Sequence, residues 1–131
     1  MNKLRVYFAS GFISMHNQVE LANYLKEDSV IEEYYTLILP KLQENHYDEE
    51  FVYNDMMTLQ QSDILIIHLP EPSIGASAEL GYFRAIKPNN LIIAYRCIDH
   101  SWINKLASVK AYKKSQVLHI LQSFVDSKTV L

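Results

Sequence analysis

Apolar and polar positions alternate in register with two periods along this chain, and the switches between them mark out its elements. Leu4 to Ala9 alternates and then runs apolar, which predicts a first strand. Val19, Leu21, Ala22 and Leu25 recur at helical spacing and predict a helix from about Gln18 to Glu27. A second strand fits Tyr35 to Leu39, closed by Pro40, and a long polar loop follows. Phe51 to Gln61 then reads as a helix with Phe51, Val52, Met56 and Leu59 toward the core. The run from Ile64 to Leu69 is continuously apolar except for His68, as expected of a central strand covered on both faces, and Pro70 and Pro72 stop it. A helix over Ala76 to Ile86, a turn at Pro88-Asn89-Asn90 and a buried strand over Leu91 to Tyr95 come next. A short edge strand near Ser108 to Tyr112 and a last helix, capped by Ser115 and carrying Val117, Leu118, Leu121, Phe124 and Val125, complete the pattern.

Strands that alternate with helices imply a parallel sheet with right-handed crossovers. Five of them suit an α/β three-layer sandwich of flavodoxin-like type, with strand order 2-1-3-4-5. That topology brings the loops after the first, third and fourth strands to one edge, so Ser10-Gly11, Pro72 to Glu79 and Arg96 to Asp99 are expected near one another. Ligands in such folds bind beyond the carboxyl ends of the strands.

The 131 residues, about half of them apolar (49 %), suit a single domain spanning 1–131. A net charge of −3 and the absence of a basic stripe argue against duplex nucleic acid as a partner. The densest charged stretch, Gln43 to Glu50, is acidic. No apolar run is long enough for a signal peptide or a membrane span, so no membrane association and a cytoplasmic location are expected. Cys97 is the only cysteine, and His16, His46, His68, His100 and His119 are scattered without paired spacing. No metal site and no cofactor is expected from them.

The chemistry concentrates in Pro72-Ser73-Ile74-Gly75-Ala76-Ser77-Ala78-Glu79-Leu80-Gly81-Tyr82-Phe83. On a helix beginning at Ala76, Glu79 falls in the first turn, where unpaired amides favour an ionised carboxylate, and Gly75 supplies freedom for a tight bend before it. The competing reading is a carboxylate that only offsets the helix dipole. Cleavage of a C–N glycosidic bond needs what such a residue offers: the reaction passes through an oxocarbenium-like state that a carboxylate below the sugar can capture as an ester. A second acid or a water must then help the departing base accept a proton, and Asp55 is the best candidate if its helix packs beside the same pocket.

Three motifs resemble the nucleoside 2-deoxyribosyltransferase and nucleotide N-glycosidase family. They are Val6-Tyr7-Phe8-Ala9, the stretch from Asn54-Asp55 to Asp63 and Ile67, and the Pro72 to Phe83 segment; the likeness runs from Val6 to about Arg96. It implies that Glu79 is the nucleophile, that Asp55 is an acid near the sugar or base, and that Tyr7 points from its strand toward the site. Ser10, Gly11, Ser73 and Gly75 would hold substrate. Asp63 also matches, but a polar residue between helix and strand explains it, and it is left out of the catalytic set. The chain departs from the transferases at Ser73, where they carry an Asp; serine there is similar to relatives that hydrolyse nucleoside 5′-monophosphates. It departs from those hydrolases in its first loop, Ser10 to Ser14, which has no arginine.

The resemblance implies a small nucleoside or nucleotide as partner and a homodimer or higher homo-oligomer. The expected activity is N-glycosidic cleavage through a glycosyl-Glu79 intermediate, the sugar passing to another base (a transferase) or to water (a hydrolase). The alternative is a nucleotide-binding module of the same fold without turnover. A phosphoacceptor receiver is excluded because the third strand ends in His68-Leu69-Pro70 rather than an acid. A flavin site is poorly served by Ser10-Gly11-Phe12-Ile13.

Overall fold

The computed structural model describes residues 2–40 and 49–129. Most of the acidic stretch, up to Asp48, therefore lies outside the described residues. Five strands, β1 (Leu4–Ser10), β2 (Tyr35–Ile38), β3 (Ile64–His68), β4 (Leu91–Tyr95) and β5 (Val109–Ala111), form one parallel sheet in the order β2-β1-β3-β4-β5. The expected flavodoxin-like α/β arrangement is the one observed. β1 and β3 pair from Val6–Ile64 to Ser10–His68, so both central strands end level with one another at the carboxyl edge.

Six helices flank the sheet among the described residues: α1 (Met15–Leu25), α2 (Ser29–Tyr34), α3 (Glu49–Gln60), α4 (Ile74–Ile86), α5 (Ser101–Leu106) and α6 (Lys114–Thr129). Because side chains of a strand alternate between faces, β1, β3 and β4 each feed two cores. Val6, Phe8, Ile64, Ile66, Ile93 and Tyr95 pack with Leu21, Leu25, Ile31, Leu121 and Val125 of α1, α2 and α6. Tyr7, Ala9, Leu65, Ile67, Ile92 and Ala94 pack with Leu59, Leu80, Phe83 and Ile103 of α3, α4 and α5. The second core leads up to the proposed chemistry, since Tyr7, α3 and α4 all belong to it.

Local chemistry moves several boundaries. A single 3-10 turn over Phe12–Ser14 runs into α1, which starts at Met15 rather than Gln18. Two short helices were not foreseen. α2 is nucleated by Asp28, whose carboxylate accepts from the amides of Val30 and Ile31, and α5 by His100, which accepts from the amide of Trp102. At α6 the helix opens at Lys114, and Gln116 rather than Ser115 takes up the free amides of Tyr112 and Lys113. Val52 faces outward, 56 % exposed, so the buried stripe of α3 rests on Leu59.

The largest revision is at α4. Ser73 is its N-cap, accepting from the amide of Ala76, and the helix already runs at Ile74. Gly75 is thus inside the helix with no positive φ, and an added Cβ there would meet nothing within 4 Å. The bend assigned to Gly75 is absent, because the cap makes the turn instead. Arg84 anchors the far end of α4 by donating to the carbonyls of Leu106, Lys87, Pro88 and Asn90.

Gly75→Ala is therefore expected to stabilise the fold by about 0.5–1 kcal/mol through helix propensity and a less free unfolded chain. Denaturant unfolding measures it; a loss of stability would mean that the backbone at Gly75 needs its missing side chain.

Candidate functional site

The site is assembled at the carboxyl edge of β1 and β3, on the face covered by α3 and α4. Tyr7 rises from β1 and is 1 % exposed. Glu79 comes from the second turn of α4, since no acid stands in the first, and Asp55 from the middle of α3. α3 and α4 are tied to each other by Gln60, which donates to the Tyr82 hydroxyl at 2.6 Å, and this holds the two carboxyls on neighbouring helices. Glu79 as a residue is partly exposed, yet its Oε2 is fully enclosed; neither it nor the Tyr7 hydroxyl makes a hydrogen bond of regular geometry. Buried polar atoms are nearly always paired, and here the Tyr7 hydroxyl and the Glu79 and Asp55 carboxyls are left to partner one another.

The three groups act on one another electrostatically. Burial pushes the Glu79 carboxyl up to about 7; the nearby Tyr7 hydroxyl, which stabilises the carboxylate, works against that, and the charge of Asp55 adds to it. Burial also raises Asp55, with Tyr7 again opposing. The Tyr7 phenol is raised by burial and then by both carboxylates, so it stays protonated and donating. The helix-dipole expectation of a readily ionised Glu79 is thereby corrected. One turn further along the helix and behind Tyr7, desolvation outweighs the dipole.

The first loop meets the start of α4 directly. A Cβ on Gly11 would lie 3.1 Å from both Cβ and Oγ of Ser73, a tight approach that a larger residue could make only if Ser73 gave way by a few tenths of an ångström; its own backbone, at φ −64°, is ordinary. Ser73 Oγ is the cap acceptor and keeps its proton for donation. Ser10 is turned inward, its hydroxyl donating to the Gly11 carbonyl at 2.9 Å. The third loop is bound to the same edge, since the Ile98 amide donates to the Leu69 carbonyl at 2.7 Å and Cys97 Sγ to that of Ile67 at 3.3 Å. The structure thus places Tyr7, Asp55 and Glu79 together, with Gly11 and Ser73 at the adjoining rim. Ser10 sits below that rim and Gly75 points away from neighbouring atoms.

Asp63 lies at the opposite edge, where its carboxylate accepts from the Arg5 amide at 2.8 Å and joins β1 to the start of β3. Lys87 is there as well, bonded to the Ser62 carbonyl and lying over the Phe83 ring. An open hollow of about 580 Å³ between α1, α2 and β2 is lined by Lys3, Lys26, Glu32 and Leu37 among others and includes none of the residues above.

One buried group went unassigned in the sequence. His68, 1 % exposed at the tip of β3, donates from Nδ1 to the Tyr95 carbonyl at 2.9 Å, which leaves Nε2 to accept from Asn17 of α1 at 3.2 Å. The only signal for it was its place beside Ser10 at the end of a central strand.

Several solved structures share this architecture, among them the following two. A conserved protein from Enterococcus faecalis V583 matches with a TM-score of 0.73 at 14 % identity, over 93 % of this chain and 99 % of that one. The 2-deoxyribosyltransferase from Bacillus psychrosaccharolyticus matches with a TM-score of 0.65 at 15 % identity, over 87 % and 90 %. What is shared is the fold. No protein-family model and no curated protein matches the chain. No helix among the described residues is long and apolar enough to cross a membrane.

Glu79 provides a test that needs no substrate. Its pKa in the fold, about 7, exceeds the ordinary 4.5, so the folded state holds more protons than the unfolded one between those values. Stability must then fall as pH rises from about 4.5 to 7 and stay lowered above. Glu79→Gln removes that loss. Relative to wild type, it should gain on the order of 1–3 kcal/mol on going from pH 4.5 to pH 8, read from urea midpoints; parallel pH curves for the two proteins would contradict the burial argument.

Proposed function

We propose that the protein cleaves the N-glycosidic bond of a (deoxy)nucleoside or its 5′-monophosphate. The observation that carries this reading is the enclosed Glu79 carboxyl beside the Tyr7 hydroxyl and Asp55, at the carboxyl edge of a fold like that of a 2-deoxyribosyltransferase. In this reading an oxygen of ionised Glu79 attacks C1′ of the sugar. The C1′–N bond breaks, its electron pair leaves with the base, and a proton reaches the base nitrogen. Asp55 suits that donation, because burial keeps its proton on more readily than an exposed aspartate would. The resulting C1′ ester is opened by water, giving free sugar, or by a second base, giving a new nucleoside; the attacking group passes its proton to Asp55, and the Glu79 carboxylate departs and is regenerated. Tyr7 donates toward the carboxyl pair and holds the nucleophile in place.

Chromatography of a panel of nucleosides and their 5′-monophosphates, with and without an acceptor base, tests the reading through release or exchange of base. Glu79→Gln should lower turnover by several powers of ten with binding retained, and Asp55→Asn by about 10²–10⁴. A 2′-fluoro substrate should leave a sugar adduct that peptide mapping assigns to Glu79. Near wild-type turnover in Glu79→Gln would defeat the assignment, whereas tight binding with no base release from any substrate would favour a nucleotide-binding module.

The pH profile supplies a further check. Because Glu79 must be ionised and Asp55 protonated, kcat/KM should be bell-shaped in pH, and Asp55→Asn should abolish the fall on the alkaline side. An alkaline limb unchanged in Asp55→Asn would mean that another group protonates the leaving base.

A further inference from the structure

Arg96 has three features that a merely solvated arginine lacks. It is the only non-glycine residue among those described with a positive φ, 51°, a conformation that costs energy and persists only where its surroundings enforce it. Its backbone amide donates to the Ala111 carbonyl at 2.8 Å and its side-chain Nε to the Tyr112 carbonyl at 2.9 Å. Its guanidinium carbon stands 4.9 Å over the Tyr95 ring. These contacts fix the stem and one face of the group. Its terminal nitrogens meet no carboxylate among the described residues, whereas Lys110 pairs with Asp99 and Lys114 with Glu20 at 3.9 Å.

The position matters as much as the posture. Arg96 follows β4 directly, on the edge that carries Gly11 and Ser73, and β4 is separated from β1 only by β3. At roughly 4.8 Å per strand its backbone stands about 10 Å from the first loop, and its side chain is held on the β5 side by the Tyr112 carbonyl. Between them lies His68, whose neutral form is held by burial above all, opposed by its bond to the Tyr95 carbonyl, and favoured further by the charges of Arg96 and His16. With His68 neutral, the positive charge at this part of the rim is that of Arg96.

Resting on the glycosidic reading above, we propose that Arg96 is the specificity-determining residue that selects a 5′-phosphorylated substrate over the free nucleoside. The sugar lies with C1′ at Glu79 and its 5′ end crosses the strand tips toward β4. There the guanidinium nitrogens donate to the phosphoryl oxygens, and the Ser73 hydroxyl adds a neutral donor on the other side. An aspartate at Ser73 would set a second anion beside the phosphate; serine does not.

The experiment compares kcat/KM for a 2′-deoxynucleoside and its 5′-monophosphate in wild type, Arg96→Lys and Arg96→Gln. In parallel, calorimetry compares binding of 2-deoxyribose 5-phosphate with that of 2-deoxyribose. Thermal midpoints are recorded for each protein, with Arg96→Gly added as a variant that tolerates the positive φ. The ratio of the two efficiencies should favour the monophosphate in wild type, drop about 10–100-fold in Arg96→Gln and Arg96→Gly, and drop less in Arg96→Lys. The preference should shrink at about 0.3 M salt. A residue that only clips β4 to β5 would affect both substrates alike and leave the ratio unmoved; that result, or a wild-type ratio near one, overturns the proposal. The calorimetric arm separates it from the glycosidic reading. If no substrate releases base, Arg96-dependent preference for the sugar phosphate still supports this role, and equal affinity for sugar and sugar phosphate refutes it.

Discussion

Everything distinctive about this molecule follows from burying one carboxyl at the edge of a parallel sheet. Glu79 could not be held there by the helix dipole, since it stands a full turn past the α4 cap. What makes it tolerable is the Tyr7 hydroxyl, a donor carried on the central strand beneath it and kept protonated by the same desolvation. The arrangement stores free energy in a group that ionises near neutrality. That is an expensive feature for a stable fold and a useful one for a nucleophile.

The sheet makes this arrangement possible. β1 and β3 are covered on both faces, and Ile64, Leu65, Ile66 and Ile67 are all fully buried. They form a rigid platform from which Tyr7 rises on one face and His68 on the other. Helix-to-helix and loop-to-strand links then set the rest: Gln60 to Tyr82 between α3 and α4, Gly11 against Ser73, and Ile98 to Leu69. The rim of the site is thus built from three loops that are far apart in sequence and held by short polar contacts.

The two faces of the carboxyl edge differ in charge. Carboxyls gather on the α3 and α4 side, while the guanidinium of Arg96 stands toward β4 beside a neutral His68. The substrate we propose, with a leaving base at one end and an anion at the other, would match that polarity. Charge separation of this kind orients a ligand as well as binding it.

Much of this could be read from the chain itself. The apolar runs at Leu4–Ala9, Ile64–Leu69 and Leu91–Tyr95 dictated buried strands, because only a doubly covered strand uses so many consecutive apolar residues, and their alternation with helices dictated the strand order. Glu79 stood out by its place in a helix directly behind an apolar strand, whereas Asp55 and Tyr7 were singled out by the resemblance to nucleoside 2-deoxyribosyltransferases. Short helices such as α2 and α5 were not legible, since their stability comes from a capping side chain and from packing rather than from a repeating apolar stripe. The start of α4 was misplaced for a related reason: Ser73 can cap a helix or sit in a loop, and the choice depends on Gly11 pressing against it from another strand. The protonation of Glu79 was likewise beyond the sequence. Local position argued for an ionised carboxylate, but the deciding quantity was desolvation, which depends on what α3 and β1 bring over it in space. Covalent order determined which groups this protein has; only the packed sheet decided which of them lose their water.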